Sequence, residues 1–230
     1  VYLINPNGIL FGQGAQVNVR GLIASTLDLN NTNLSDTTRT FSGTGTGTIV
    51  NQGSINTAKG GYVALLGNTV SNQGVINSPQ GSVTLGAGNA TTLTFQDNSL
   101  IQIQVDQSVL NSQAENGGLI QADSGQVIMT AGAKNALLAS VVNNTGVIQA
   151  HTLENLEGNI ILLGGMTAGT TNVGGTLDAS APDGGNGGFI ETSAAHVQIA
   201  DEVKVTTLSI DGNSGTCLLY TSDAADDLFR

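Results

Sequence analysis

The chain has 230 residues with 17 acidic and six basic side chains, a net charge of −11 that leaves too few cations for a phosphate-binding face and so argues against nucleic acid as a partner. Glycine fills 32 positions and aromatics only 3%, while charged residues stop at 10% and hydrophobics reach 39%. That balance is too apolar for a disordered chain and too poor in aromatics and charge for an ordinary globular enzyme, and no apolar run nears the roughly 20 residues of a membrane-spanning helix.

In chain order, Val1-Tyr2-Leu3-Ile4 is an apolar run with no initiator Met and no signal-peptide layout, so the sequence is expected to start inside a strand of something longer. Asn5-Pro6-Asn7-Gly8 follows as a turn: proline fixes φ, Asn-Gly accepts left-handed geometry, and apolar strand flanks both sides. The stretch from Asn30 to Thr48 has few core candidates and reads as an excursion from the main body. Within it, Thr44-Gly45-Thr46-Gly47-Thr48 is expected to be a flexible hairpin rather than a flat threonine strand. Residues 86–99 and 106–115 read as smaller excursions.

Between the excursions the chain repeats itself. Asn51-Gln52-Gly53-Ser54-Ile55-Asn56 returns 21 residues later as Asn72-Gln73-Gly74-Val75-Ile76-Asn77. Related copies begin at Asn116, Asn144 and Gly174, each followed by a glycine and a short aliphatic strand. A period near 20 with one or two strands per unit is the signature of a solenoid. The leucine-rich frame is missing and no stretch shows a 3.6-residue period, so a β-helix is expected. Ile101-Gln102-Ile103-Gln104-Val105 shows the required alternation of apolar and polar faces. Aliphatics should then form an interior column with Ile55, Ile76 and Ile148 pointing inward, and bend asparagines should stack as amide ladders. Roughly eight to ten turns would fit at about 4.8 Å each, with apolar rims at both ends unless something caps them.

The end of the chain differs. Cys217-Leu218-Leu219-Tyr220-Thr221-Ser222-Asp223-Ala224-Ala225-Asp226-Asp227 reads like the translation of a transposase-type sequencing adapter, so 217–230 is set apart and expected to be unstructured. Residues 1–216 then hold no cysteine and a net charge of −9, which suits an exported surface protein.

Candidate chemistry is sparse. Asp178, Asp183, Glu191 and Asp201, with Lys204 nearby, are the acids a polysaccharide-cleaving β-helix would need, but they share no repeated register. A single loose Gly/Asp-rich piece, 174–188, falls short of the tandem nonapeptides of a calcium roll. His151 and His196 have no neighbouring Cys or His, so neither metal nor cofactor is expected. Asn30, Asn33, Asn89 and Asn143 sit in Asn-x-Ser/Thr frames, which arise freely in an Asn-rich chain.

From Tyr2 to Val19 the sequence runs YLINPNGILFGQGAQVNV, and after Arg20 it continues GLIASTLDL. The Asn-Pro-Asn-Gly-Ile core, the following Phe-Gly and the Ala-Ser-Thr-Leu-Asp closely resemble the hallmark stretch of the two-partner-secretion domain of filamentous haemagglutinins and related adhesins. Gly187-Gly188-Phe189-Ile190-Glu191-Thr192-Ser193 is similar to a recurrent segment of the same family, and the resemblance covers most of 1–216. It implies a right-handed single-stranded parallel β-helix with extra-helical hairpins over 1–216. It also implies export through a Gram-negative-type envelope, by way of the periplasm, to the medium or the cell surface. An outer-membrane transporter with periplasmic recognition domains would be the partner, and Asn5, Pro6, Asn7, Gly8 and Ile9 would form the secretion-motif turn. That turn first shapes the coil needed for folding, and contact with the transporter is the second reading. The family's domain begins well upstream of Val1, and host or neighbouring-cell surfaces would be met by regions beyond these residues. The expected function is thus a non-enzymatic secretion domain of an exported adhesin or haemagglutinin. The alternative is a carbohydrate-active β-helix enzyme of lyase or hydrolase type.

Overall fold

A computed structural model describes residues 1–30, 36–96, 100–107, 112–132 and 141–222, and these form strands with no helix. After β1 (Tyr2–Ile4) the chain winds seven times around one axis. The first turn is β2 (Ile9–Phe11) and β3 (Gln16–Ser25); two short excursion strands, β4 (Asp28–Leu29) and β5 (Thr38–Ser42), follow it. The second turn is β6 (Thr48–Asn51) and the long β7 (Ser54–Gly67), and the third is β8 (Thr69–Asn72), β9 (Val75–Asn77) and β10 (Ser82–Ala87). A second excursion gives β11 (Ala90–Phe95) and β12 (Ile101–Gln107). The fourth turn is β13 (Gln113–Asn116), β14 (Leu119–Gln121) and β15 (Gln126–Ala131); the fifth is β16 (Val142–Asn144), β17 (Val147–Gln149) and β18 (Asn159–Leu163). The sixth turn is β19 (Thr170–Val173), β20 (Thr176–Asp178) and β21 (Phe189–Ala194), and the seventh is β22 (His196–Ile199), β23 (Lys204–Thr206) and β24 (Thr216–Thr221).

Every strand of one turn pairs in parallel with its counterpart on the next, so equivalent residues stack. Ile55 sits on Ile76, Ile76 on Ile120, Ile120 on Ile148, and Ile148 on Leu177, all with no exposed surface. Val63, Val83, Val127, Ile160 and Ile190 form a second such column. Burying an aliphatic side chain of this size stabilises the fold by about 1.5–3 kcal/mol, so the interior columns are the main driving force. The expectation that Ile55, Ile76 and Ile148 point inward holds.

The bends carry the other repeated residues. Asn51 Nδ2 donates to Asn72 Oδ1, Asn72 Nδ2 to Asn116 Oδ1, and Asn116 Nδ2 to Asn144 Oδ1, each at 2.8 Å. Asn144 Nδ2 ends the ladder on the carbonyl of Gly174 at 2.7 Å. All four asparagines are at most 1% exposed, so the ladder satisfies polar groups that water cannot reach. Beside it Gly53, Gly74, Gly118, Gly146 and Gly175 stack so closely that a Cβ on each of the last four would strike the carbonyl oxygen of the glycine before it.

The two excursions meet. β4, β5, β11 and β12 form a four-stranded antiparallel sheet against the flank of the helix, in the order β12-β11-β5-β4. They match the extra-helical hairpins implied by the resemblance, and they correct the reading of Ile101–Val105, whose alternation is real but serves this lateral sheet rather than an interior rung. The boundaries of the smaller excursions also move: Gly86 and Ala87 belong to β10, and residues 113–115 belong to β13. The two excursions, and a spacing that lengthens from 21 to 28 residues between ladder asparagines, leave seven turns among the described residues where eight to ten are expected. At about 4.8 Å per turn the rod is roughly 30 Å long.

The tail departs from expectation at its start. Thr216–Thr221 forms β24, parallel to β21 and in register from Phe189↔Thr216 to Ala194↔Thr221, where an unstructured segment was expected from residue 217. The last strand of the sixth turn offers a row of unpaired N–H and C=O groups, and Thr-Cys-Leu-Leu-Tyr-Thr is a run with β propensity that can pair with it. Residues 223–230 lie outside the described residues.

Candidate functional site

The Asn-Pro-Asn-Gly segment bridges β1 and β2. The Asn5 N–H donates to the Ser25 carbonyl at 2.9 Å, which ties the start of the turn to the first coil. Gly8 N–H donates to the Asn5 carbonyl at 3.1 Å, closing the turn, and Asn7 N–H donates to Asn5 Oδ1, also at 3.1 Å. Gly8 holds φ +118°, a conformation that side-chain-bearing residues rarely adopt, and a Cβ there would lie 3.1 Å from the Thr48 carbonyl. Thus Asn5 supplies the side-chain acceptor, Pro6 and Asn7 the tip, and Gly8 the reversal, after which Ile9 enters the core at 9% exposure.

Thr44–Thr48 lies along this turn rather than forming a free hairpin. A Cβ on Gly47 would collide with the Pro6 carbonyl and the Gly8 amide, and one on Gly45 would crowd the carbonyls of Thr26 and Pro6. These two glycines let the return segment lie flat on the turn. Between them opens a cleft of about 600 Å³ lined by Pro6, Asn7, Leu10, Thr46, Thr48 and Val50 among others. Leu10 is 66% exposed at its edge, on the outer side of a strand whose neighbours Ile9 and Phe11 are buried.

A second polar cluster sits on the outside of turns four to six. His151 Nε2 lies 3.1 Å from Asp178 Oδ2, and its Nδ1 lies 3.7 Å from Asp123 Oδ1. Asp123 also accepts from the His151 N–H at 2.9 Å, from Gln121 at 2.7 Å and from Gln149 at 3.2 Å. Partial burial pushes the Asp178 carboxyl up, but hydrogen bonds from Ser180 and His151, with the charge of His151, outweigh it and hold it below the usual carboxylate range. In the sequence His151 has no neighbouring Cys or His, and nothing beside Asp123 marks it as a partner. Yet Asp123 and His151 each follow a ladder asparagine, Asn116 and Asn144, by the same seven residues, a spacing that marks them as neighbours on adjacent turns.

A sequence profile described as the TPS secretion domain matches residues 1–179. The chain belongs to this family. The TPS secretion domain described here is similar to a heme/hemopexin-binding protein of Haemophilus influenzae strain KW20 / Rd, 35% identical over 173 residues that make up 70% of this chain and 18% of that protein. A second heme/hemopexin-binding protein of Haemophilus influenzae is 33% identical over 184 residues, covering 70% of this chain and 20% of its own length. The chain therefore spans about a fifth of the length of these relatives. Among solved structures, the crystal structure of the HMW1 secretion domain from Haemophilus influenzae superposes with a TM-score of 0.80 at 30% identity, covering 94% of this chain and 55% of that one. The likeness confirms the β-helix and favours a secretion domain over the carbohydrate-cleaving alternative.

The remaining candidate acids of the TPS secretion domain are engaged locally or exposed. Glu191 accepts from Ser193 Oγ at 2.7 Å, Asp178 is held by Ser180 and His151, and Asp183, Asp201 and Lys204 face solvent. Among the described residues no group of three or more His, Cys, Asp or Glu side chains could hold a metal ion. Of the glycosylation frames, Asn30 is exposed, Asn143 accepts from Asn172 at 2.9 Å, and Asn33 lies outside the described residues.

Asp178 gives a pH-dependent prediction. A carboxyl with a depressed folded-state pKa contributes stability above its unfolded value, and that contribution is lost as pH falls through the folded value. The wild type is therefore expected to melt above Asp178→Asn at pH 6, with the gap closing below about pH 4. Melting curves from pH 3 to 7 check this; a gap that stays constant across the range would contradict it.

Proposed function

We propose that residues 1–216 are the part of an exported protein that an outer-membrane transporter recognises through its periplasmic domains, with the Asn5–Ile9 turn and its adjoining cleft as the contact. The observation that carries this reading is the exposed tip of the family's hallmark sequence: Pro6, Asn7 and Leu10 line an open cleft, while Ile9, Phe11 and residues 24–27 enter the core. The same residues close the first turn, so the site serves folding and recognition together. Export would deliver the protein to the medium or the cell surface, where it folds turn upon turn, each new strand pairing with the edge of the last. Adhesin- or haemagglutinin-type binding of host or neighbouring cells is assigned to parts of the protein beyond this chain, and no catalytic step is assigned to residues 1–216.

Two substitutions separate recognition from folding. Leu10→Lys alters an exposed side chain and should change stability by no more than about 0.5 kcal/mol. Gly8→Ala forces a strained φ and should cost about 1–3 kcal/mol. With the chain co-expressed beside an outer-membrane transporter of the two-partner type, Leu10→Lys is expected to cut the secreted fraction roughly tenfold while its purified form unfolds at the wild-type denaturant midpoint. Secretion of Leu10→Lys at the wild-type level would reduce the turn to a folding element and remove the cleft as a contact.

A further inference from the structure

A solenoid couples each turn to its neighbours only, so its turns can fray and fold one at a time. The lateral sheet breaks that rule in the first half of this chain. Its strands leave the helix at two places, β4 and β5 after the first turn and β11 and β12 after the third, and β5 pairs with β11 from Thr38↔Thr94 to Ser42↔Ala90. A second apolar cluster, separate from the interior columns, forms underneath. Ile23 of turn one and Ala64 and Leu66 of turn two meet Phe41 of the first excursion and Leu93 and Ile101 of the second. All six are buried.

Other contacts span the same turns. The Arg39 guanidinium of β5 lies 4.1 Å from the Phe95 ring of β11 and 5.6 Å from the Tyr2 ring of β1, and Tyr62 of β7 meets Phe95 edge-to-face at 5.2 Å. β12 returns to the third turn, where the Ile101 N–H donates to buried Ser82 Oγ at 2.9 Å and Ile103 rests on Gly86, a position with no room for a Cβ. Beyond residue 141, by contrast, the described strands pair only with the turn before and the turn after.

We infer that the lateral sheet is a latch: it closes only when β11 and β12 reach β5, and closure fuses turns one to three into one cooperative block. Before it closes, Ile23, Ala64, Leu66 and Phe41 lack the apolar cover that Leu93 and Ile101 provide, so the early turns gain their full stability only once about residue 107 is in place. Among the described residues turns five to seven have no such device, and they fray singly from the far end. For a chain emerging N-terminus first, closure marks the point past which the emerged part no longer unravels turn by turn; that consequence alone rests on the export reading above.

Native-state hydrogen exchange on the purified chain tests the latch itself and is blind to secretion. In Leu93→Ala, which shortens a side chain outside the interior columns, amide exchange in β3, β5 and β7 is expected to quicken together, by tenfold or more, while β18 and β21 keep wild-type rates. In Leu162→Ala, which opens an interior cavity in turn five, exchange should quicken in β18 and β21 and leave β3, β5 and β7 unchanged. Should Leu93→Ala prove too unstable to purify, Leu93→Val gives the same pattern at smaller amplitude. The latch is overturned if the Leu93 variants speed exchange only within β11 and β12, or if either substitution speeds exchange equally throughout the chain.

Discussion

Gly118→Ala is expected to cost about 3 kcal/mol or more and to leave little soluble protein, whereas Gly117→Ala next to it should be nearly silent. The two glycines are adjacent in sequence and opposite in surroundings. A Cβ on Gly118 would enter the carbonyl oxygen of Gly74 on the turn below, a backbone atom fixed by the Leu119 N–H bond to that same carbonyl at 2.9 Å. A Cβ on Gly117 would find only Thr145 Oγ1, at an ordinary 3.6 Å. Soluble yield and denaturant midpoints of the two variants check the contrast. Equal effects would mean that the turns do not stack at this bend as described.

Asn116→Ala is expected to lower the unfolding free energy by about 2–4 kcal/mol, since it orphans one buried acceptor at about 1–3 kcal/mol and takes the shortest bond, about 1 kcal/mol, from a buried donor. Asn144 Oδ1 loses its donor from the turn below, and Asn72 Nδ2 keeps only its longer contacts at 3.3–3.4 Å to the Gly74 and Leu119 carbonyls. Asn116→Asp should fare no better: a carboxylate has no proton to give Asn144 Oδ1 and brings an unpaired charge into a buried site. Asn143, one residue before a ladder position, pairs with Asn172 on the outer face, and its alanine variant should lose less than about 1 kcal/mol. Urea unfolding of the three variants tests the ladder, and a cost at Asn116 no larger than at Asn143 would remove it as a source of stability.

These effects explain what the sequence made legible. On turns two to five the bends stack an asparagine in an amide ladder and a glycine against the carbonyl of the turn below, so Asn51 with Gly53 and Asn72 with Gly74 betray the coil at a spacing of 21. The lateral sheet was harder to place. Ile101–Val105 alternates in the same way whether its apolar face covers an interior column or the flank of the helix, and periodicity alone carries no information about layer. The histidine cluster escaped because its members are 28 and 27 residues apart, and the separation has meaning only once the later turns are known to be longer than the first. The hallmark turn was recognised as a turn, but the part played by Gly45 and Gly47 was not. Their need for glycine comes from the turn of residues 6–8 lying against them, which nothing in Thr-Gly-Thr-Gly-Thr announces.

The stacking register that underlies the fold, the ladder and the latch can be read directly by disulfide trapping. Val75, Leu119 and Val147 point outward on successive turns, with Val75 paired to Leu119 and Leu119 to Val147. Cysteines at in-register positions on neighbouring strands lie within bonding range, whereas a pair that skips a turn, at about twice the 4.8 Å strand spacing, does not. In a Cys217→Ser background, oxidation of Val75→Cys with Leu119→Cys is expected to give a nearly complete intramolecular disulfide, and Val75→Cys with Val147→Cys almost none. Efficient cross-linking of the skipped pair, or failure of the adjacent one in folded protein, would contradict the account.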